Sequence, residues 1–332
     1  MIVAVTGASG VVGSEIVRKL ADNNIRTRSV IRSAANPGLL TPFKNSTEIV
    51  EADILDMAGL MKALDGADVV VHAAGYVSFN PRRKDQLFNI NVQGTRNVVN
   101  ACLDDKTPKL IHISSVAALG GVRREEKPQD KIPILNEESR WASGIVTSDY
   151  SQSKYLSELE VYRGQEEGLN VSIVNPSVVL SAGDGTRSSS RLLGYVWRQR
   201  QFYSNFNLNY VDARDVAEIV MRLLKGNFNG DRFIANAGSV PVKKVFQLIA
   251  ERFKKSAPGI PIPPTLARAA ARFEEFRAVI AGGEPVITRQ SVRLLRDNIL
   301  FENGKAKTIL GMEFQSLEST LDWCCDNFLR SR

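Results

Sequence analysis

Cysteine and histidine are scarce in this chain: Cys102, Cys324 and Cys325, with His72 and His112, are all that 332 residues contain. Three cysteines, two of them adjacent, build no disulfide framework and fit a reducing compartment. No third ligand lies near either histidine, which argues against a metal role. Both sit in apolar runs that suit the core or the lining of a cofactor site. No apolar run approaches the roughly 18 residues that span a bilayer. No basic leader precedes the first strand-like run, so the expected location is cytoplasmic. Helix-turn-helix, RNP-like and zinc-finger spacings are missing too, which removes the sequence grounds for nucleic-acid binding. The net charge of +7 is uneven: residues 1–177 hold 20 Lys and Arg against 21 Asp and Glu, and residues 178–332 hold 23 against 15. Scattered surface bases explain that excess as well as an anionic substrate would.

What is present is ordinary globular material, 43% hydrophobic and 24% charged, long enough for one large domain or two unequal lobes. The opening residues up to Thr6 form a short apolar run rich in β-branched side chains, read as a buried strand. Gly7-Ala-Ser-Gly10-Val11-Val12-Gly13 follows and opens an amphipathic helix through Ile16, Val17 and Leu20. Strand, glycine loop and helix in that order let backbone N–H groups approach a pyrophosphate. Further strand-like runs fall at Thr27–Ile31, Thr47–Ala52, Asp68–Ala73, Lys109–Ser114 and Asn170–Asn175. Helical patterns lie at Met57–Leu64, Phe88–Leu103 and Tyr150–Glu167. This alternation predicts an α/β fold, a doubly wound parallel (Rossmann) sheet forming a dinucleotide-binding domain over 1–177. Gly7, Asp53, Gly75, Ser115 and Tyr150 fall at or just after strand ends, where open α/β sheets bind ligands.

After Pro176 the rhythm loosens. Ser181–Arg191 reads as a loop, the run from Asn209 to Asp215 leads into a helix to Leu224, and Arg232–Asn236 looks like one more strand. Residues 206–237 are therefore expected to return to the first domain. Four prolines in Pro258–Pro264 precede a basic, Ala-rich helix over Thr265–Ile280. The remainder of 178–332 is expected to form a smaller, mostly helical substrate-binding lobe.

Tyr150 and Lys154 stand four residues apart, which on a helix places phenol and ammonium on one face. A free Tyr titrates near 10; a neighbouring Lys⁺ is expected to lower that value and ready the hydroxyl for proton transfer. Dinucleotide sites that prefer NAD place an acid about 20 residues past the glycines. Here the window Ser29–Ala34 holds no acid but Arg32, which can fork onto a 2′-phosphate. The expected cofactor is NADP(H), with NAD(H) possible.

Taken together, Thr6-Gly7-Ala-Ser-Gly10-Val11-Val12-Gly13, Asp53-Ile54, His72-Ala73-Ala74-Gly75, Asn91-Val-Gln-Gly94-Thr95, Ser114-Ser115, Tyr150-x-x-x-Lys154 and Asn175-Pro176-Ser177 resemble the extended short-chain dehydrogenase/reductases of the NAD-dependent epimerase/dehydratase superfamily. The resemblance covers essentially the whole chain and is most similar to the dihydroflavonol-reductase and 3β-hydroxysteroid-dehydrogenase branch. It implies a reductase of a ketone or aldehyde to an alcohol. Ser115 would donate a hydrogen bond to the substrate carbonyl oxygen, Tyr150 would give its proton to the developing alkoxide, and Lys154 would hold the nicotinamide ribose. Asn91 would be the helix-distorting asparagine beside them. Asp53 would accept from the adenine amino group, with Asp56 taking the helix N-cap and leaving it free. Thr6, Gly7, Gly10, Val11, Val12, Gly13, Arg32, Ile54, Ala73, Ala74, Gly75, Pro176 and Ser177 complete the expected cofactor set. The implied partners are a small carbonyl or alcohol substrate and, through Phe88–Leu103 and Tyr150–Glu167, a second copy of the chain. Two other readings stand on the same fold. A nucleotide-sugar epimerase or dehydratase lacks its usual side chains in the run from Ser115 to Leu119. A non-catalytic dinucleotide sensor or assembly protein would be expected to have lost Tyr150 or Lys154.

Overall fold

Parallel strands buried on both faces need no alternation of apolar and polar side chains, and the short β-branched runs of the first half form such a sheet. The structure, a computed structural model, describes residues 1–121, 132–141, 148–183, 185, 188–281 and 299–332. Ile2–Thr6 (β1), Arg26–Ile31 (β2), Glu48–Glu51 (β3), Val69–His72 (β4) and Lys109–Ile113 (β5) are joined by Asn170–Pro176 and Asp231–Ala235. The seven run in the order Asp231–Ala235, Asn170–Pro176, β5, β4, β1, β2, β3, and every pairing is parallel. The order reverses between β1 and β4, so the crevice at their carboxyl ends is the switch point where doubly wound sheets take ligands.

Helices cover both faces. Val11–Asp22 (α1) and Ala213–Lys225 pack on one, through Ile16, Val17 and Leu20 against Val216, Ile219 and Val220. Met57–Leu64 (α2) lies on the other, with Leu60 and Leu64 buried in the same cluster as Val98, Val99 and Val161. The run expected as one helix over Phe88–Leu103 is three pieces: Lys84–Phe88 (α3), a π turn Asn89–Gln93, and Gly94–Asp104 (α4). Asp149–Glu166 (α5) carries Tyr150 and Lys154, with Ser148 capping its start through a bond from Ser151 N–H at 3.0 Å.

The second half is less purely helical than its sequence suggests. A three-stranded sheet of Val178–Leu180, Asn207–Asp212 and Gly238–Pro241 packs with helices Arg191–Trp197, Val242–Phe253 and Leu317–Arg330 around Phe246, Phe253, Leu321 and Phe328. Helix Gly304–Leu310 does something different: Ala306, Leu310 and Met312 enter the cluster that contains Val3, Val5 and Phe233 of the large sheet. The sequence segments expected to line a substrate pocket, Gly120–Thr147, Ser181–Tyr203 and Thr265–Glu284, each fall in part outside the described residues. Among the described residues no helix is long and apolar enough to cross a membrane.

Candidate active site

The chain turns out of β1 at Gly7, whose φ of +67 lies in the left-handed region that glycine adopts without penalty. A Cβ there would also lie 2.6 Å from the backbone of Ala74, so the loops after β1 and β4 cross only because residue 7 has no side chain. A Cβ at Gly13 would overlap the carbonyl oxygen of Gly7. Behind Gly10, α1 starts with half-buried Val11 and Val12, no capping side chain and no acid in its first turn. Its N–H groups and the positive end of its dipole suit a phosphate. On the far side of the crevice Pro176 ends its strand, and Ser177 follows with its Oγ buried and unpartnered among the described residues. An orphaned hydroxyl of this kind fits a bound polar ligand.

Two expectations around the adenine end need correction. Asp53 is exposed, but its Oδ1 accepts the N–H of Leu55 at 2.9 Å, an Asx turn. Asp56 stands at the N-cap of α2 without a side-chain capping bond. Asp53 therefore spends one oxygen on its own backbone and has the other for a ligand. Ile54 turns its side chain into the core, where a Cβ at Gly94 would strike it, and its carbonyl accepts Asn97 Nδ2 at 2.9 Å. Arg32 lies exposed just past β2. Glu51, opposite Ile31 on β3, accepts the N–H of Ala34 at 2.8 Å. The strand window that lacks an acid thus gains one from its neighbour.

At the centre of the crevice α5 packs against the turn that Ser115 opens and brings the Tyr150 phenol near enough to Ser115 for that hydroxyl to act on its proton. Ser115 also caps the short turn Val116–Leu119, accepting the N–H of Ala117 at 3.2 Å. Its own proton is still available to an acceptor. Lys154, buried one turn further, donates from Nζ to the carbonyl of Ile113 at 3.1 Å. Phe79 stands edge-on to Tyr150 with 5.8 Å between ring centroids, walling the phenol from one side. Burial outweighs charge here. It pushes the Tyr150 phenol above its ordinary value, only partly offset by Ser115, and pulls Lys154 down to about 8. The expectation that Lys154 lowers the phenol is not met by the protein groups alone: desolvation of the phenolate dominates, and the group that opposes it is Ser115.

Asn91 sits in the π turn, an insertion that occurs at functional sites. Its Nδ2 donates to Tyr76 O and to Ser153 Oγ, both at 2.9 Å, and its Oδ1 accepts Tyr76 N–H at 2.7 Å. The loop Ala73–Ala74–Gly75 is held between this amide and β1, with Ala73 N–H on Thr6 O at 3.2 Å. A Cβ on Gly75 would sit 3.5 Å from both Asn91 Oδ1 and Lys154 Nζ. His72 ties the two ends of the site together. Thr95 donates to Asn91 O at 2.6 Å, so it must accept from His72 Nε2 at 3.1 Å, which leaves Nδ1 to accept from Thr6 at 2.7 Å. Burial, with Lys154 nearby, holds this imidazole neutral by lowering it to about 3. His72 is thus a core residue and the link between the first strand and the π turn. His112, 5.2 Å away ring to ring, is also buried and neutral.

The model of the NAD dependent epimerase/dehydratase family matches residues 3–238. The chain belongs to that family. Its curated relatives include a Synechocystis sp. protein whose name, dihydroflavonol 4-reductase, is provisional (27% identical, covering 96% of this chain and 91% of the relative). The tetraketide alpha-pyrone reductase 1 of Arabidopsis thaliana is 25% identical over 97% and 93% of the two chains, and the cinnamoyl-CoA reductase 1 of Petunia hybrida is 26% identical over 79% of each. Among solved structures, gox2253 superposes with a TM-score of 0.82 at 27% identity, covering 99% of this chain and 98% of the other. The UDP-glucose 4-epimerase of Thermotoga maritima gives 0.79 at 18% identity, over 100% and 99%, a likeness of fold. The family expects an NAD(P) dinucleotide, and its carbonyl-reducing members are distant relatives of this chain.

Three side chains that tie the site together were not among the expected site residues: Ser153, which accepts Asn91 Nδ2, Asn175, which donates to the carbonyl of Ser115, and Glu158. A helical wheel would have flagged Glu158, since it repeats one turn after Lys154 on a face of α5 that is otherwise small or apolar.

Proposed function

We propose that the chain is an NADP(H)-dependent reductase that turns a ketone or aldehyde into an alcohol. The observation that carries this reading is the pairing on one face of α5 of Tyr150, packed edge-on against Phe79, with buried Lys154 one turn away, whose Nζ donates to the carbonyl of Ile113 beside the Ser115 turn. When bound, the nicotinamide supplies hydride. Ser115 donates to the carbonyl oxygen and fixes it beside the phenol. Tyr150 then passes its proton to the oxygen as negative charge develops there. A phenol that burial keeps protonated is poised as an acid, so the raised value serves the reducing direction. Lys154, on the carbonyl of Ile113, supports the ribose and places a positive charge near the alkoxide. Asn91 keeps the loop after β4 open at Gly75 and holds α5 through Ser153. Arg32 supports NADP(H) over NAD(H).

The test is oxidation of NADPH and NADH over flavanonols, ketosteroids, simple aldehydes and nucleotide sugars. Tyr150→Phe should cost on the order of 10²–10⁴ in rate with the accepted carbonyl. Turnover of nucleotide sugars alone would replace this reading with epimerase or dehydratase chemistry. NADPH binding without any turnover would favour a sensor.

A further inference from the structure

We propose that Glu158 is a positioning residue that keeps the Lys154 ammonium charged and the Ser115 turn in register, a role that rests on the reductase reading of those two side chains. Glu158 is 1% exposed. Its Oε1 accepts Asn175 Nδ2 at 2.6 Å, and the same nitrogen donates to the backbone carbonyl of Ser115 at 2.8 Å. Its Oε2 accepts Arg232 Nη2 at 2.7 Å. One carboxylate therefore joins α5 to two strands of the sheet and to the turn that carries Ser115. A buried ion pair is a poor device for stability, because apolar side chains of like volume do as well or better. This one is attached to the site at its carboxylate end, through Asn175 to the Ser115 turn and one helical turn from Lys154.

The charges around Lys154 make Glu158 the relevant one. On its own helix Lys154 faces Tyr150 and Glu158; from β4 and β5 it faces His72 and His112, both neutral. Glu158 is the group that raises Lys154 against the effect of burial. Burial raises Glu158 in turn, opposed first by Arg232 and then by Asn175 and Lys154. Arg232 thus opposes protonation of the carboxylate, and the carboxylate opposes loss of the Lys154 proton.

The experiment measures NADPH affinity of the full chain from pH 6 to 9.5 by intrinsic fluorescence. The wild type should lose affinity around pH 8 as Lys154 deprotonates, a decline that Lys154→Met abolishes. Glu158→Gln should move the midpoint down by on the order of one pH unit, while Glu158→Asp, which keeps the charge, should leave it in place. Glu158→Gln with Arg232→Gln removes both members of the ion pair and covers the case in which the single variant does not fold; its midpoint should fall as well. Weaker binding at every pH with an unmoved midpoint in the Gln variants would make Glu158 a brace alone and overturn the proposal. Wild-type protein that shows no Lys154-dependent decline removes the reductase reading of the site, and this inference with it.

Discussion

At the end of β2 two opposite charges, Arg32 and Glu51, stand where the proposed cofactor's ribose would lie. Arg32 is exposed there and has no ion pair among the described residues, so it can fold onto a 2′-phosphate. Glu51 is close by: one of its oxygens accepts the N–H of Ala34, and its charge opposes a phosphate there, so Arg32 must outweigh it. Arg32→Asp should therefore lose the charge-assisted contact and add repulsion. The expected result is a fall of about 10–100-fold in kcat/KM for NADPH, the scale of 1.5–3 kcal/mol for such bonds, with NADH held or improved. An unchanged NADPH to NADH ratio would sink the assignment. Single residues at strand ends were the most legible part of this chain. Gly7, Gly75, Ser115, Tyr150 and Lys154 announce themselves because a loop crossing or a bond to a ligand demands one residue type. Glu51 and Glu158 do not, since each acts through a strand that is remote in sequence.

Elements were legible where their pattern is long and missed where it is short. α1 and α2 show the 3.6-residue period, and α5 is marked by the Tyr150–Lys154 spacing and Gly168 beyond its end, whereas Val178–Leu180 and Gly238–Pro241 are strands of three and four residues with no alternation to detect. The π turn hides for a related reason: one extra residue per turn leaves the apolar spacing of Phe88–Leu103 nearly helical. Helix Ala213–Lys225 carries a prediction of its own. Asp212 caps it by accepting Arg214 N–H at 2.8 Å, and Asp215, inside the first turn, accepts Gln315 N–H at 3.0 Å. A helix N-terminus ordinarily favours an ionised acid. Here burial wins, with Asp212 and Glu218 adding to it, and Asp215 rises from 3.8 to about 7. The folded chain then holds this proton more tightly than the unfolded one. The stability it contributes is complete below about pH 3.8 and is lost as pH climbs through 7. Asp215→Asn keeps an oxygen for Gln315 without the charge. Its Tm should gain on the wild type between pH 5 and pH 8, and equal differences at both would mean that Asp215 is ionised throughout.

Across the whole molecule, the last residues of the chain are structural partners of the first. Helix Gly304–Leu310 lies on the outer edge of the large sheet, with Lys305 paired to Asp231 at 2.9 Å and Arg222 reaching the carbonyl of Gly311 at 2.8 Å. Leu310 is 6% exposed in the cluster that holds Val3, Val5 and Phe233. Fourteen residues of helix Leu317–Arg330 then close the other core around Phe328. The tail therefore spans both cores, and loss of packing at either should be felt by the dinucleotide crevice. Leu310→Ala removes a buried side chain that nothing nearby can replace, at a cost of about 2–5 kcal/mol. In urea the whole chain should unfold in a single transition at a lower midpoint, with NADPH binding lost in that same step. A split transition, in which the NADPH-binding part melts at its wild-type midpoint, would show that the tail stabilises its own lobe and leaves the sheet indifferent to it.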